Sequence, residues 1–171
     1  MISIGNILRI TIWLFFLIGG AIFSIHLDKI YFLSVYNNLY FHLISFILGY
    51  ILLRLVLKAT RNTGRFLANN GRAGNIPRLQ TNVLVTHGLY GKMRHPMHQS
   101  LIFFPLAFAL LVGSPVFILV VVPLEILLMI IMIKLWEEPE AIRKFGPAYR
   151  EYKKQVPFFC FKKDCLQELL K

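Results

Sequence analysis

Residues 10–27, 30–53 and 96–124 of this chain contain no Asp, Glu, Lys or Arg. As a helix, the first of these runs reaches about 27 Å, close to the roughly 30 Å hydrocarbon thickness of a bilayer. A soluble domain of 171 residues would have to bury all three runs, and a membrane asks for nothing of the kind. Composition agrees, with 57% hydrophobic and 16% charged residues against roughly 25% charged in an ordinary soluble domain.

The net charge of +11 brings in disorder and nucleic-acid binding as alternatives. Disorder requires few aromatics, whereas this chain has 15 Phe, 7 Tyr and 2 Trp. The positive charge falls in the gaps between apolar runs, where it faces phospholipid headgroups, so the expected partner is the bilayer and not nucleic acid. Cys160 and Cys165 close at most one small loop, and a structural zinc wants four ligands. Neither a redox framework nor a metal site is expected.

The first run reads as a retained span, because Arg9 and its apolar core are followed by further spans and not by a small-x-small cleavage site. Asn37, Asn38 and His42 interrupt the second run. They place its membrane part near residues 39–57, after a short external turn. The third run is too long for one helix. Gly113, Ser114 and Pro115 break it, and Pro suits a helix's first turn, so a hairpin of roughly 97–112 and 116–136 is expected.

Lys58, Arg61, Arg65, Arg72, Arg78, Lys92 and Arg94 lie in an acid-free segment, and the tail from Lys134 is again rich in Lys and Arg. The loop between the first two spans offers only Asp28 and Lys29. The positive-inside rule then puts both basic segments and both termini in the cytosol. The expected fold is an all-α integral membrane protein with about four transmembrane helices in a single membrane domain. Residues 1–57 supply two spans, 58–95 a cytosolic basic loop, 96–136 the hairpin with its short first arm, and 137–171 a cytosolic tail.

Chemistry concentrates where these parts meet the membrane face. The run Val83-Leu84-Val85-Thr86 leads into His87-Gly88-Leu89-Tyr90 and then Arg94-His95-Pro96, which opens the hairpin. A helix start exposes unpaired N–H groups, so Arg94, His95 and the amides after Pro96 suit a carboxylate or phosphate. Beyond the hairpin come Lys134, Glu137 and Glu138, then Phe145-Gly146, Tyr149 and Tyr152. Bases on one wall and acids on the other suit a zwitterionic or cationic ligand.

The pattern Leu84-Val85-Thr86-x-Gly88-x-Tyr90-x-x-x-Arg94-His95-Pro96, followed by Glu137-Glu138 and Phe145-Gly146-x-x-Tyr149-x-x-Tyr152, resembles the isoprenylcysteine carboxyl methyltransferases and the related phospholipid N-methyltransferases. The resemblance covers about residues 82–159. It implies an integral membrane enzyme that takes S-adenosylmethionine from the cytosol and a lipophilic substrate from the bilayer. On that resemblance, Asn82, Val83, Leu84 and Val85 hold the cofactor through backbone, with Tyr90, His95, Pro96 and Met97, and Glu137 contacts its polar end. Arg94 and Glu138 complete the wall as catalytic candidates, with His98 and Lys134 toward the substrate. The cytosolic tail from Glu137 to Phe159 is expected to fold over the cofactor against the 82–96 loop, excluding water.

The chain departs from the family pattern where His98 replaces a common Tyr and Ser100 a Gly. It departs again where Ile133 stands at the register of a substrate-contacting Arg, with Lys134 one step on, and where Asn82 replaces a His. These departures bear on the substrate more than on the cofactor.

Plainer readings stand beside these. Arg94 and Lys92 fit headgroup anchors, and Glu138 fits a helical pair with Arg143 or Lys134. Glu125, mid-membrane, implies a cavity role or an interhelical contact with Arg54 or His42. His26 reads as interfacial, His42, Met129 and Met132 as packing, and Cys160 as an interfacial cysteine or a palmitoyl acceptor. The competing functions are an NADPH-dependent membrane reductase of the sterol type, and a non-enzymatic module binding anionic lipid.

Overall fold

The computed structural model describes residues 4–76 and 80–171; Arg78 and the side chain of Arg9 lie outside the described residues. These residues are mainly helical, with no strand among them. In chain order they form α1 (Ile4–Tyr31), the one-turn α2 (Leu33–Tyr36), α3 (Leu39–Asn70), the short α4 (Leu89–Lys92), α5 (Pro96–Leu101) and α6 (Phe104–Val112). There follow α7 (Val122–Met132), α8 (Glu138–Phe145), α9 (Pro147–Gln155) and α10 (Lys163–Leu169).

Three helical stretches, Ile10–Tyr31, Leu39–Asn70 and Phe117–Phe145, are long and apolar enough to cross a bilayer, and Pro96–Val112 is a shorter apolar stretch. This is the expected set of three long crossings and one short arm. Two helices run further than expected. α3 continues past residue 57 to Asn70, because the Lys, Ala, Arg and Leu that follow favour helix and no proline intervenes. The basic segment is therefore a loop only after Asn70.

The last span likewise continues past residue 136, so Glu137 and Glu138 lie inside a helix and not at its end. Its ladder widens to π-type turns over Phe117–Val121 and Ile133–Glu137. Each widening ends two residues before a proline, Pro123 and Pro139. A proline interior to a helix lacks an N–H and crowds the carbonyl four residues back, and a widened turn makes room for it.

The chain divides into two compact units, Ser3–Leu55 with Ile102–Ile130, and Val56–Leu101 with Ile131–Lys171. In the first, Leu17, Ala21, Ala109, Phe117 and Val122 form the core, with Trp13, Phe104 and Phe108 packed against it. Small residues set its closest approaches, as where a Cβ on Gly49 would stand 2.8 Å from the Leu111 amide nitrogen. Phe15, Phe23, Ile44, Leu119 and Leu124 are exposed around it, a surface suited to lipid. The chain is an integral membrane protein.

Polar groups inside this unit act at helix ends. The fully buried Asp28 accepts hydrogen bonds from the Ser114 hydroxyl and, at 2.8 Å, from the Val116 amide, so the end of α1 caps the start of the last span. Ser45 donates to the Leu110 carbonyl at 2.6 Å. Glu125 is 2% exposed with no hydrogen-bond partner among the described residues on either carboxylate oxygen, so it does not make the bond to Arg54 or His42 that the sequence suggested. His42 instead bonds the Tyr36 carbonyl.

In the second unit, Ala59, Val85, Leu89, Tyr90, Met93, Cys160, Cys165 and Leu169 form one cluster, and Tyr149, Tyr152 and Val156 another. Cys160 and Cys165 are joined by a disulfide, with their Cα atoms 6.0 Å apart. This closes the one small loop that the sequence allowed, and replaces the reading of Cys160 as an interfacial cysteine or palmitoyl acceptor. The turn into α10 brings the two side chains together, which a spacing of five residues does not by itself decide.

Candidate functional site

A half-open cleft enclosing about 180 Å³ lies wholly in the second unit. One wall comes from the 81–98 segment through Thr81, Val83, Leu84, Val85, Tyr90, Arg94, His95, Met97 and His98. The other comes from the end of the long helix and from α9 through Glu137, Ala141, Phe145, Tyr149 and Tyr152, and Leu67 of α3 also contributes.

Local chemistry explains the placement. The widened turn over Ile133–Glu137 ends at Glu137. Gly146 then turns the chain between α8 and α9 at φ +59° and ψ −132°, a conformation essentially open only to glycine. That turn puts Tyr149 and Tyr152 back on the cleft. Tyr152 donates its hydroxyl hydrogen to the Tyr90 carbonyl at 2.6 Å, and the Arg94 amide donates to the Pro157 carbonyl at 2.9 Å. The tail thus lies against the 90–95 segment.

Behind the wall sits a charged cluster. Arg94 gives its Nε to Glu138 Oε1 at 3.1 Å and its Nη2 to the same oxygen at 3.0 Å, while Nη1 reaches the Lys153 and Val156 carbonyls at 2.9 and 2.8 Å. Lys153 Nζ binds the other Glu138 oxygen at 2.6 Å, and His95 Nε2 lies 3.4 Å from Oε1. The Phe158 ring lies against both the Arg94 guanidinium and the His95 imidazole. Burial alone would raise the Glu138 carboxyl, but hydrogen bonds from His95 and Lys153 and the charges of Arg94 and Lys153 hold it down to about 2. Burial lowers the His95 imidazole, against the pull of that same carboxylate.

The anion seat expected at the helix start is therefore taken by the chain's own Glu138. Of the two acids, Glu137 is the one on the cleft, where it pairs with His98 Nε2 at 3.0 Å. Burial keeps the cleft phenols protonated: Tyr149 is pushed up to about 12 by burial and then by the Glu138 charge, and Tyr90 is raised by burial and by Tyr152.

The structure brings Val83, Leu84, Val85, Tyr90, Arg94, His95, Met97, His98 and Glu137 onto the cleft. Four other candidates sit elsewhere. Asn82 spends its side chain bridging both backbone groups of Ala73 at 2.7 Å, bracing the loop. Pro96 is buried in the first turn of α5. Glu138 is behind the wall, and Lys134 is exposed with its Nζ over the Phe158 ring. Sequence reasoning missed Lys153, Phe158 and Gln99. The fully buried Gln99 amide pairs with both backbone groups of Cys160, at 2.5 and 2.7 Å; a lone Gln in an apolar run was the available signal.

Apolar spans and a cleft walled by a helix start and a returning tail define a helical membrane protein with a recess in its second unit. The model of the phospholipid methyltransferase family matches residues 38–148, and the chain belongs to that family. It is a membrane methyltransferase of a lipid-modifying family. No curated protein and no solved structure matches the chain.

Proposed function

We propose that the cleft binds S-adenosylmethionine at the cytosolic face and that the enzyme methylates an amine, carboxylate or thiol of a lipophilic molecule. The observation that carries this reading is Glu137, a carboxylate set among Leu84, Val85, Met97, Phe145 and three tyrosines. The cofactor offers a matching pair of surfaces: a flat base for the apolar and aromatic lining, and an ammonium and ribose hydroxyls for the carboxylate. The enclosed 180 Å³ is below the roughly 300 Å³ of a typical ligand pocket. The enclosed part would hold one end of the cofactor and leave the other to the open mouth.

When bound, the cofactor would supply an electrophilic methyl on a sulfonium: an acceptor lone pair would bond to that methyl carbon as the carbon–sulfur bond breaks and the sulfur leaves as a thioether. The chain's part is to hold the two in line and keep water out. Arg94 and Glu138 are positioning residues, since each is engaged by the other and by the tail. A carboxylate held near 2 is too weak a base to deprotonate an amine. For an amine acceptor that proton passes to His98, which faces the cleft beside Glu137. A carboxylate or thiolate needs no base.

Both basic segments support cytosolic placement. A cytosolic face calls for Cys160 and Cys165 as thiols, whereas the structure joins them in a disulfide; neither of them lines the cleft. Against a nicotinamide cofactor stands the charge of the cleft: among the described residues Arg94 is the only Lys or Arg on it, and its guanidinium is committed.

Calorimetric titration of the detergent-purified protein with S-adenosylmethionine, and separately with NADPH, tests this. Saturable binding of the sulfonium compound is expected, with Glu137→Ala weakening it tenfold or more, since a lost charged hydrogen bond costs about 1.5–3 kcal/mol. Binding of NADPH alone would point to a reductase. Lipid binding that ignores Glu137, with neither cofactor bound, would point to a scaffold.

A further inference from the structure

We propose that His95, His98 and Glu137 also form a site for a divalent cation of the zinc class, with Glu138 as the outer partner of His95. Ligand atoms of these three residues lie within 4.8 Å of one another. Tetrahedral zinc, with bonds of about 2.0–2.1 Å, holds its ligands about 3.3 Å apart. The His98–Glu137 edge, at 3.0 Å, already matches that spacing. The widest separation has about 1.5 Å left to close, within reach of side-chain rotation.

The donor set is specific. Two imidazoles and one carboxylate suit zinc over magnesium or calcium, which take oxygen ligands. Three protein ligands leave a fourth position open to water or to a group in the cleft. A metal-bound histidine commonly gives its other nitrogen to a carboxylate, which fixes the ring and strengthens the ligand. Here that carboxylate is Glu138, 3.4 Å from His95 Nε2 and itself held by Arg94 and Lys153. Nδ1 of His95 is then the ligating atom.

No metal was expected from sequence because the ligands come from two segments some forty residues apart, and because the third ligand, His98, stands where the family pattern has Tyr. With Tyr there the set would lose an imidazole, so the site belongs to this chain's departure from the pattern. A regulatory consequence follows, which rests on the proposed cofactor site. Glu137 serves both ligands, and a dication beside a sulfonium is repelled, so cation and cofactor exclude one another.

The test uses the full chain in detergent, stripped of metal and titrated with ZnCl₂. One saturable site per chain is expected, weakened tenfold or more by His98→Phe and unchanged by His87→Ala, a substitution of an exposed histidine. X-ray absorption of the zinc-loaded wild type reads the ligands without relying on a variant to fold, and two imidazole nitrogens in the first shell are expected. Zinc binding unaffected by His98→Phe, no saturable binding, or a first shell lacking two imidazoles overturns the site. S-adenosylmethionine titrated into the metal-free chain separates the two readings. If zinc binds through His98 and the sulfonium compound does not bind, the metal site stands and the cofactor assignment fails. If both bind and saturating zinc leaves cofactor affinity unchanged, the exclusion is overturned.

Discussion

The unit of Ser3–Leu55 and Ile102–Ile130 and the unit of Val56–Leu101 and Ile131–Lys171 differ in how they treat charge. The first turns most of its large apolar side chains outward, packs Phe117 and small residues within, and keeps its buried acids singly placed, Asp28 at a helix cap and Glu125 among apolar side chains. The second buries paired charges: the Arg94 and Glu138 side chains are 10% and 4% exposed. In lipid, cohesion comes from close backbone approach, because outward apolar surface costs nothing there. In water, a cleft can be held by an ion network, provided every member is satisfied, because a buried charge left alone is costly. Damage to the first unit is therefore graded, and damage to the second abrupt.

The sharpest way to break that contrast is Glu138→Ala. It leaves the Arg94 guanidinium and Lys153 without their carboxylate, and losing one partner of a buried ion pair costs about 3–5 kcal/mol. Proteolysis should then cut the tail beyond Gly146 while the helical signal of the spans persists. A loss under about 1 kcal/mol would mean that the network is ornamental and that apolar packing holds both units.

Acid provides the same test without mutation. Glu138 is held at about 2 in the folded protein against an ordinary 4.5. The unfolded chain therefore takes up the proton first, and the stabilisation present above about pH 4.5 is lost as pH falls toward 2. His95, lowered from 6.5, acts in the same direction, so the decline begins below about pH 6.5. Thermal midpoints measured against pH should be level near neutrality and fall on acidification. The lower part of the fall should be missing in Glu138→Ala; a fall that survives that substitution assigns it to other carboxylates.

Next in size is Gly113→Ala, in the membrane unit. Gly113 sits at φ +68°, and a Cβ there would stand 2.3 Å from His42 Nδ1, while His42 is tethered to the Tyr36 carbonyl. The left-handed backbone costs a non-glycine residue about 1–2 kcal/mol, and the clash adds to it. A loss of about 2 kcal/mol in detergent unfolding is expected, with the cleft's cofactor affinity unchanged. A change of affinity comparable to that of Glu137→Ala would join what the comparison separates.

The two units also differed in how far the sequence disclosed them. Charge-free runs locate spans because the bilayer imposes a length, and Pro115 and Gly113 mark the hairpin turn by rules that need no partner. The helix ends past the membrane were not read, although Gly71 and Gly146 follow directly on Asn70 and Phe145, where a glycine commonly ends a helix. The cleft was legible as a motif, from Tyr90, His95 and Glu137, but its division of labour was not. Two adjacent glutamates look alike in sequence, and it is their places about 100° apart around one helix that give Glu137 to the cleft and Glu138 to Arg94. Asp28 was read as a loop charge because its partners, Ser114 and Val116, lie more than eighty residues on.

Asp28 yields the smallest effect and the finest distinction. Replacing it by Ala removes the acceptor for the Val116 amide and the Ser114 hydroxyl, while Ser114 Oγ keeps its bond from the Phe117 amide. The loss of one helix cap is expected to cost about 1 kcal/mol. Asp28→Asn keeps an acceptor oxygen and should recover most of it, read as detergent-unfolding midpoints of the three proteins side by side. If Asn performs no better than Ala, the negative charge itself matters at that helix start, and the membrane unit, like its water-facing counterpart, depends on a buried charge.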